Sequence, residues 1–246
     1  MEMAGAWRRL NCCGVFGMAS QVPIHRLSDR REGGLLLAGR LAAYAHDPGA
    51  VVLALPRGGV PVGYEVARAL GLPLGVFVVR KLGVPGREEL AMGAIAGGGT
   101  YVLSEEIIAG LDIAREDVLA AIERERIELE RRERLYRGDL PFPHLSGKTV
   151  ILVDDGLATG ASMAAAIAAL RRMEPARIVA AVPVGAVSVC AKMGDLADEM
   201  ICGQTPDPFY SVGTWYRDFD QVSDREVRRL LDAVAAEGSR PPLDGP

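Results

Sequence analysis

Val150-Ile-Leu-Val-Asp-Asp-Gly-Leu-Ala-Thr-Gly-Ala-Ser162 is the stretch that decides the fold. Val150–Val153 is apolar and largely β-branched, which suits a strand buried on both faces of a parallel sheet. Two adjacent carboxylates end the run, a small-residue turn follows, and the alanine-rich segment after Ala161 reads as a helix, with Thr159 or Ser162 as its expected cap. A helix start offers unpaired N–H groups and a positive dipole end, which together attract anions. Carboxylates repel a phosphate at close range. They suit the site if they lie one sugar length away and accept from ribose hydroxyls. A sugar phosphate is one ligand that uses both features.

The same residues also suit plainer structures. Asp-Asp-Gly forms ordinary turns, Thr-Gly starts ordinary helices, and glycine-rich strand-to-helix turns occur in other nucleotide folds. Neither Gly-x-Gly-x-x-Gly nor a Gly-Lys-Ser/Thr phosphate loop occurs at this segment.

Outward from this stretch, strand-like and helix-like segments alternate, as in α/β domains. Strands are expected at Ala50–Leu55, Leu74–Arg80, Val150–Asp154, Ile178–Val184 and Glu199–Cys202. Helices are expected at Asp29–Tyr44, Pro61–Leu70, Glu116–Arg137, Ala161–Met173, Ser188–Met193 and Arg225–Ala236. Lys81–Gly99 is glycine-rich and reads as a long loop or hairpin, with Tyr101–Leu103 returning as a short strand. Ligands of such sheets bind beyond the carboxyl ends of the strands, where the unusual loops fall. Glu116–Arg137 interleaves acids and bases, the pattern of a solvated helix with weak ion pairs rather than a nucleic-acid face.

The chain has 246 residues and a formal net charge of −4, which argues against broad attraction to nucleic acid or membrane surfaces. No apolar run approaches the ~20 residues that span a bilayer. Cys12, Cys13, Cys190 and Cys202 are few and irregular, and His25, His46 and His144 are scattered; reduced thiols in the cytoplasm are expected. Residues 1–22 read as a disordered tail rather than an export signal, with Met18 a conceivable start. Residues 237–246 read as a frayed tail.

Three further segments carry chemistry. Pro56-Arg57-Gly58-Gly59 follows the first strand and is either a tight turn or a loop whose amides and cation meet a diphosphate. Arg80-Lys81 places two cations at a strand end, solvated or facing an anion. Trp215 and Tyr216, with Phe209 and Tyr210, either stack on a planar ligand or pack the chain end onto the core.

Residues 150–162 resemble the phosphoribosyl diphosphate (PRPP) signature of the type I phosphoribosyltransferases. From about Arg26 to Leu231 the chain is similar to bacterial phosphoribosyltransferase-domain proteins through Leu55–Gly59, Arg80–Gly83, Asp154–Gly160 and Trp215–Phe219. The resemblance implies an α/β domain over residues 23–236, a parallel twisted sheet of about five strands flanked by helices, with a flexible lid loop or hairpin at 82–99. It implies that Asp154 and Asp155 hold ribose hydroxyls and that Gly156, Leu157, Ala158, Thr159, Gly160, Ala161 and Ser162 cradle the 5′-phosphate. Arg57, Gly58, Gly59, Arg80 and Lys81 would contact diphosphate, with a strained or cis peptide at Arg57–Gly58. Lys81 and Arg87 are the candidate catalytic side chains, Glu88 or Glu89 could meet the acceptor, and Trp215 and Tyr216 would stack on it. Mg²⁺ would enter with PRPP, without direct protein ligands. The expected partners are PRPP and a small nitrogenous acceptor, with a homodimer compatible. A non-catalytic PRPP or nucleotide sensor and a phosphoribosyl hydrolase are the alternatives.

Two positions depart from the family pattern. Ala158 stands where enzymes acting on 6-oxopurines carry an acid, so such an acceptor is disfavoured. Gly156 stands where a larger apolar residue is common, which is expected to loosen the loop.

Overall fold

A computed structural model describes residues 24–138 and 142–238. In chain order its elements are α1 (Arg30–Arg40), β1 (Ala50–Ala54), α2 (Gly59–Leu70), β2 (Leu74–Val76), β3 (Val79–Val84), β4 (Arg87–Ala96), β5 (Tyr101–Leu103), α3 (Glu105–Gly110), α4 (Arg115–Arg137), β6 (Thr149–Val153), α5 (Ala161–Arg171), β7 (Arg177–Val184), α6 (Val187–Gly194), β8 (Glu199–Gln204) and α7 (Asp224–Gly238). Five strands form a parallel sheet in the order β2-β1-β6-β7-β8, as expected for a type I phosphoribosyltransferase-like fold.

The register explains why the central strands are apolar after their first residues. Leu53, Leu152 and Ala180 lie side by side, as do Val52, Ile151 and Val179. Successive residues point to opposite faces of a strand. The first row packs with Met163, Ile167 and Leu170 of α5, and the second packs with Leu37 of α1 and with Val62 and Val66 of α2. Both faces are covered, so the buried positions of these strands do not tolerate a polar residue cheaply. Among the described residues no helix is long and apolar enough to cross a membrane.

The run expected as one strand over Leu74–Arg80 is two. Phe77 N–H still bonds the Ala54 carbonyl at the end of β1, but Val78 already accepts from Gly97. The chain leaves the parallel sheet there and enters an antiparallel sheet, β3-β4-β5. The glycine-rich segment is therefore a hairpin, and it is packed: Leu82, Met92 and Ile95 share a second core with Val118, Leu129 and Tyr136 of α4 and with Val227 and Leu230 of α7. The N-cap of α1 is Asp29, which accepts from Glu32 N–H at 2.9 Å. Residues 1–22 and 239–246 of the expected tails lie outside the described residues, whereas 237 and 238 continue α7.

The cysteines correct the expectation of reduced thiols. Cys190 on α6 and Cys202 on β8 form a disulfide, with Cα atoms 6.6 Å apart. Their spacing hides this, because only the docking of α6 against β8 brings them together. Cys12 and Cys13 lie outside the described residues.

Candidate functional site

β1 and β6 are neighbours, so the loops after their carboxyl ends meet. Gly58 and Gly59 press directly on the acid pair. A Cβ on Gly58 would lie 2.6 Å from the Asp155 carboxyl carbon, and one on Gly59 would lie 2.8 Å from the Val153 carbonyl oxygen and 3.0 Å from Asp154 Cα. Only glycine permits that approach. The two segments that read as ribose and diphosphate loops are thus one surface. A non-proline cis peptide does occur here, at Pro56–Arg57, one bond before the expected Arg57–Gly58.

The phosphate loop divides into buried supports and exposed groups. Leu157 is buried and anchored at the end of β7: its N–H bonds the Val184 carbonyl at 2.9 Å, and its carbonyl accepts from Ala186 at 3.2 Å. Gly156 is buried against Val212, where a Cβ would come within 2.9 Å of Cγ2. A larger residue would collide there, so Gly156 tightens the loop rather than loosening it. Ala158, Thr159, Ala161 and Ser162 are exposed. The N-cap of α5 is Gly160, in the left-handed region at φ 73°, and no side chain caps the helix. Thr159 Oγ1 instead accepts from Ala161 N–H at 3.4 Å. The first-turn amides of α5 thus have no intrahelical acceptor, the usual condition of a helix start.

Burial pushes the Asp154 carboxyl well above the usual carboxylate range, and the adjacent Asp155 charge adds to the push. Burial raises Asp155 too, while a hydrogen bond and the charge of Arg30 work against the rise. Arg30 Nε lies 2.9 Å from Asp155 Oδ2, with both side chains largely out of water. The Arg30 guanidinium sits 3.9 Å over the Phe219 ring, and its Nη1 donates to the Asp220 carbonyl at 2.8 Å. Nothing in the local sequence of α1 marks Arg30. Its role appears only when the two ends of the chain pair: Leu27 N–H bonds the Trp215 carbonyl at 2.9 Å, and Arg217 N–H bonds the Leu27 carbonyl at 2.8 Å.

The remaining expected residues are distributed more widely. Tyr216 is buried, donates to the Asp155 carbonyl at 2.7 Å and stacks on Phe219, so it supports the acid pair from behind. Trp215 packs in the same aromatic cluster. Arg80 is bonded to Glu125 of α4 at 2.6 Å. Lys81 is exposed, 3.9 Å from Glu89 across the hairpin. Arg87 lines a separate cavity of 280 Å³ with Asp112 and Asp117, which contains no residue of the acid-pair loop. Arg57 turns toward α4, into a cavity lined by Arg131, Arg132, Tyr136 and Asp224.

The profile of the phosphoribosyl transferase domain matches residues 35–200. The chain belongs to this family. Two Mycobacterium tuberculosis proteins, named "Putative phosphoribosyl transferase Rv0571c" (strain H37Rv) and "Putative phosphoribosyl transferase MT0597" (strain CDC 1551), are each 48% identical over 208 residues, which is 83% of this chain and 46% of theirs. The chain thus spans about half the length of the curated relatives it matches. The crystal structure of TT1426 from Thermus thermophilus shares the fold at a TM-score of 0.75 and 41% identity, covering 84% of this chain and 97% of that one.

Proposed function

We propose that this phosphoribosyl transferase domain binds the Mg²⁺ complex of PRPP and transfers its ribosyl 5-phosphate to a nitrogen acceptor, releasing diphosphate. The observation that carries the reading is the seating of Gly58 and Gly59 on Asp155 and Asp154. A diphosphate loop and a ribose-binding acid pair must adjoin if both are to hold one donor, and here they touch.

Asp154 and Asp155 would accept from the ribose hydroxyls. The exposed residues Ala158, Thr159, Ala161 and Ser162, through backbone amides and the Thr159 and Ser162 hydroxyls, would donate to the 5-phosphate. In the reaction the bond from ribose C1 to the diphosphate oxygen breaks with its electron pair leaving on diphosphate, the bond from C1 to nitrogen forms, and the nitrogen's proton passes to the departing diphosphate or to water. Positive charge grows on the ribosyl ring meanwhile, and carboxylates held beside it favour that charge without reorganising. The donor set fits a metal carried in by the ligand rather than a protein cage. Among the described residues two adjacent carboxylates, Asp154 and Asp155, stand at the site, and one oxygen of Asp155 already accepts from Arg30. Mg²⁺ held by donor oxygens and water would offset the charge on the leaving diphosphate.

Isothermal titration of the full chain with Mg–PRPP is the test. Binding is expected, with loss in Asp155→Asn, and no heat from the wild type would sink the reading. Diphosphate release across a panel of bases then separates a transferase from a protein that binds PRPP without turnover. Release without any base would mark a hydrolase.

A further inference from the structure

Arg57, Arg131 and Arg132 line one cavity of 170 Å³ between the β1 loop, α4 and α7. Their charges are incompletely balanced. Glu128 serves both α4 arginines, accepting from Arg131 Nε and Nη2 at 2.7 and 2.9 Å and from Arg132 Nε at 2.9 Å. Asp224, the acid that lines the cavity, accepts from the Tyr136 hydroxyl at 2.6 Å. Among the described residues Arg57 has no carboxylate partner. Three guanidinium groups therefore meet two carboxylates, and both Nη atoms of Arg132 and the whole fork of Arg57 are left to donate. Arginine forks suit planar or tetrahedral oxyanions, which accept several hydrogen bonds at once.

Size and position fit one class of ligand. At about 30 Å³ per water the cavity has room for five or six waters, comparable to a small oxyanion with part of its hydration shell. Arg57, one of its lining residues, immediately precedes the glycine that abuts Asp155. A second groove of 490 Å³ shares Leu135 and Asp224 with it and is edged by Arg225, Arg228 and Arg229, which extends the positive surface outward. The wall supplied by α4 is firmly held, because Leu129 and Tyr136 are buried against α7.

We propose that this cleft is a phosphoryl-anion site in which Arg57 acts together with Arg131 and Arg132 of α4 to hold a diphosphate-sized oxyanion. Helix α4 lies outside every loop read as donor-binding, so it adds a binding element to the protein. The binding needs only the anion. Its bearing on catalysis, as a hold on the leaving group, rests on the phosphoribosyltransferase reading.

The probe is inorganic diphosphate, titrated into the full chain with and without Mg²⁺. Arg131→Gln/Arg132→Gln is expected to weaken binding about tenfold or more, and the paired lysine variant to recover part of it. Arg124→Gln/Arg126→Gln removes the same charge from the same helix away from the cavity and should leave binding near wild type. The proposal is overturned if the wild type does not bind diphosphate at millimolar concentration. It is equally overturned if the Arg131/Arg132 variant binds like wild type, or if both glutamine pairs weaken binding alike. A wild type that binds diphosphate but not Mg–PRPP would defeat the transferase reading and leave this site standing. One that binds Mg–PRPP while the Arg131/Arg132 variant keeps full diphosphate affinity would do the reverse.

Discussion

Replacing Arg30 with methionine keeps an unbranched apolar stem of similar reach up to Nε and removes the guanidinium, which isolates what that group does for Asp155. The pair is 2.9 Å apart, with 12% and 15% of the two side chains exposed. Breaking a buried pair by deleting one partner costs about 3–5 kcal/mol, because the other charge stays buried alone. Residual exposure argues for the lower end, about 3 kcal/mol, which also covers the lost contact with Phe219. For a chain of this size that is a fall of about 6–12 °C in Tm. The pH dependence gives the stricter test. Burial already holds Asp155 above its ordinary 3.8, so its charge costs stability as pH rises through that value. Without Arg30 the carboxyl rises further and the costly window widens upward. The deficit of Arg30→Met should be largest at the alkaline end and shrink as the buffer falls and Asp155 takes up its proton. Arg30→Met/Asp155→Asn should regain most of the lost stability. Thermal melts from pH 4 to 8 check both points. A deficit of equal size at every pH, or strictly additive losses in the double variant, would refute the assignment of Arg30 as the counter-charge of Asp155.

Three further outcomes follow from the geometry. Asp154→Asn should raise stability by about 1 kcal/mol at alkaline pH, since it removes a carboxyl whose charge is desolvated beside Asp155 while keeping an oxygen for the Asp155 N–H; the gain should shrink as pH falls and the raised carboxyl takes up its proton. Gly156→Ala should cost about 1–3 kcal/mol by collision with Val212, and Val212→Ala in the same chain should recover part of it, measured by urea unfolding of the double-mutant cycle. The Cys190–Cys202 bridge closes a loop of sequence separation 12. Its reduction should cost about 3 kcal/mol, a Tm fall of about 6–12 °C, with no free thiol at either position by alkylation and mass spectrometry before reductant is added.

The five-stranded sheet was legible because continuous apolar runs have one economical use in a protein of this size, as strands covered on both faces. The two candidate loops were legible because each sets glycine beside charge directly after a strand end, and the structure brings them into contact. What escaped sequence reading depends on contacts between distant segments. Leu74–Arg80 is apolar enough to read as one strand, and only the bond from Gly97 to Val78 shows where the chain changes sheets. Arg30 is one of two adjacent arginines on a helix, indistinguishable until the chain ends pair and bring it over Phe219. The arginines of α4 follow an i, i+3 and i, i+4 pattern with their glutamates, which accounts for their charge locally and conceals that two of them face Arg57. Gly156 reads as slack in the phosphate loop because Val212 lies 56 residues along the chain.

The acid pair is electrostatically unequal, and the inequality predicts a division of labour in the proposed reaction. Asp155 is balanced before any ligand arrives, by a direct bond from Arg30. Asp154 feels Arg30 only at a distance, and its one bonded donor is the neutral Asp155 amide. A positive charge developing on the ribosyl ring would gain most from the carboxylate that has no fixed cation, because that charge is not already spent on a partner. Asp155, pinned by Arg30 on one side and by Tyr216 behind its backbone, is better suited to fix where the sugar lies. Asp154→Asn should therefore lower kcat with little change in KM for PRPP, and Asp155→Asn should raise KM with a smaller effect on kcat. If both substitutions moved the same constant to the same extent, the two acids would be acting as one unit, and the asymmetry imposed by Arg30 would have no part in the chemistry.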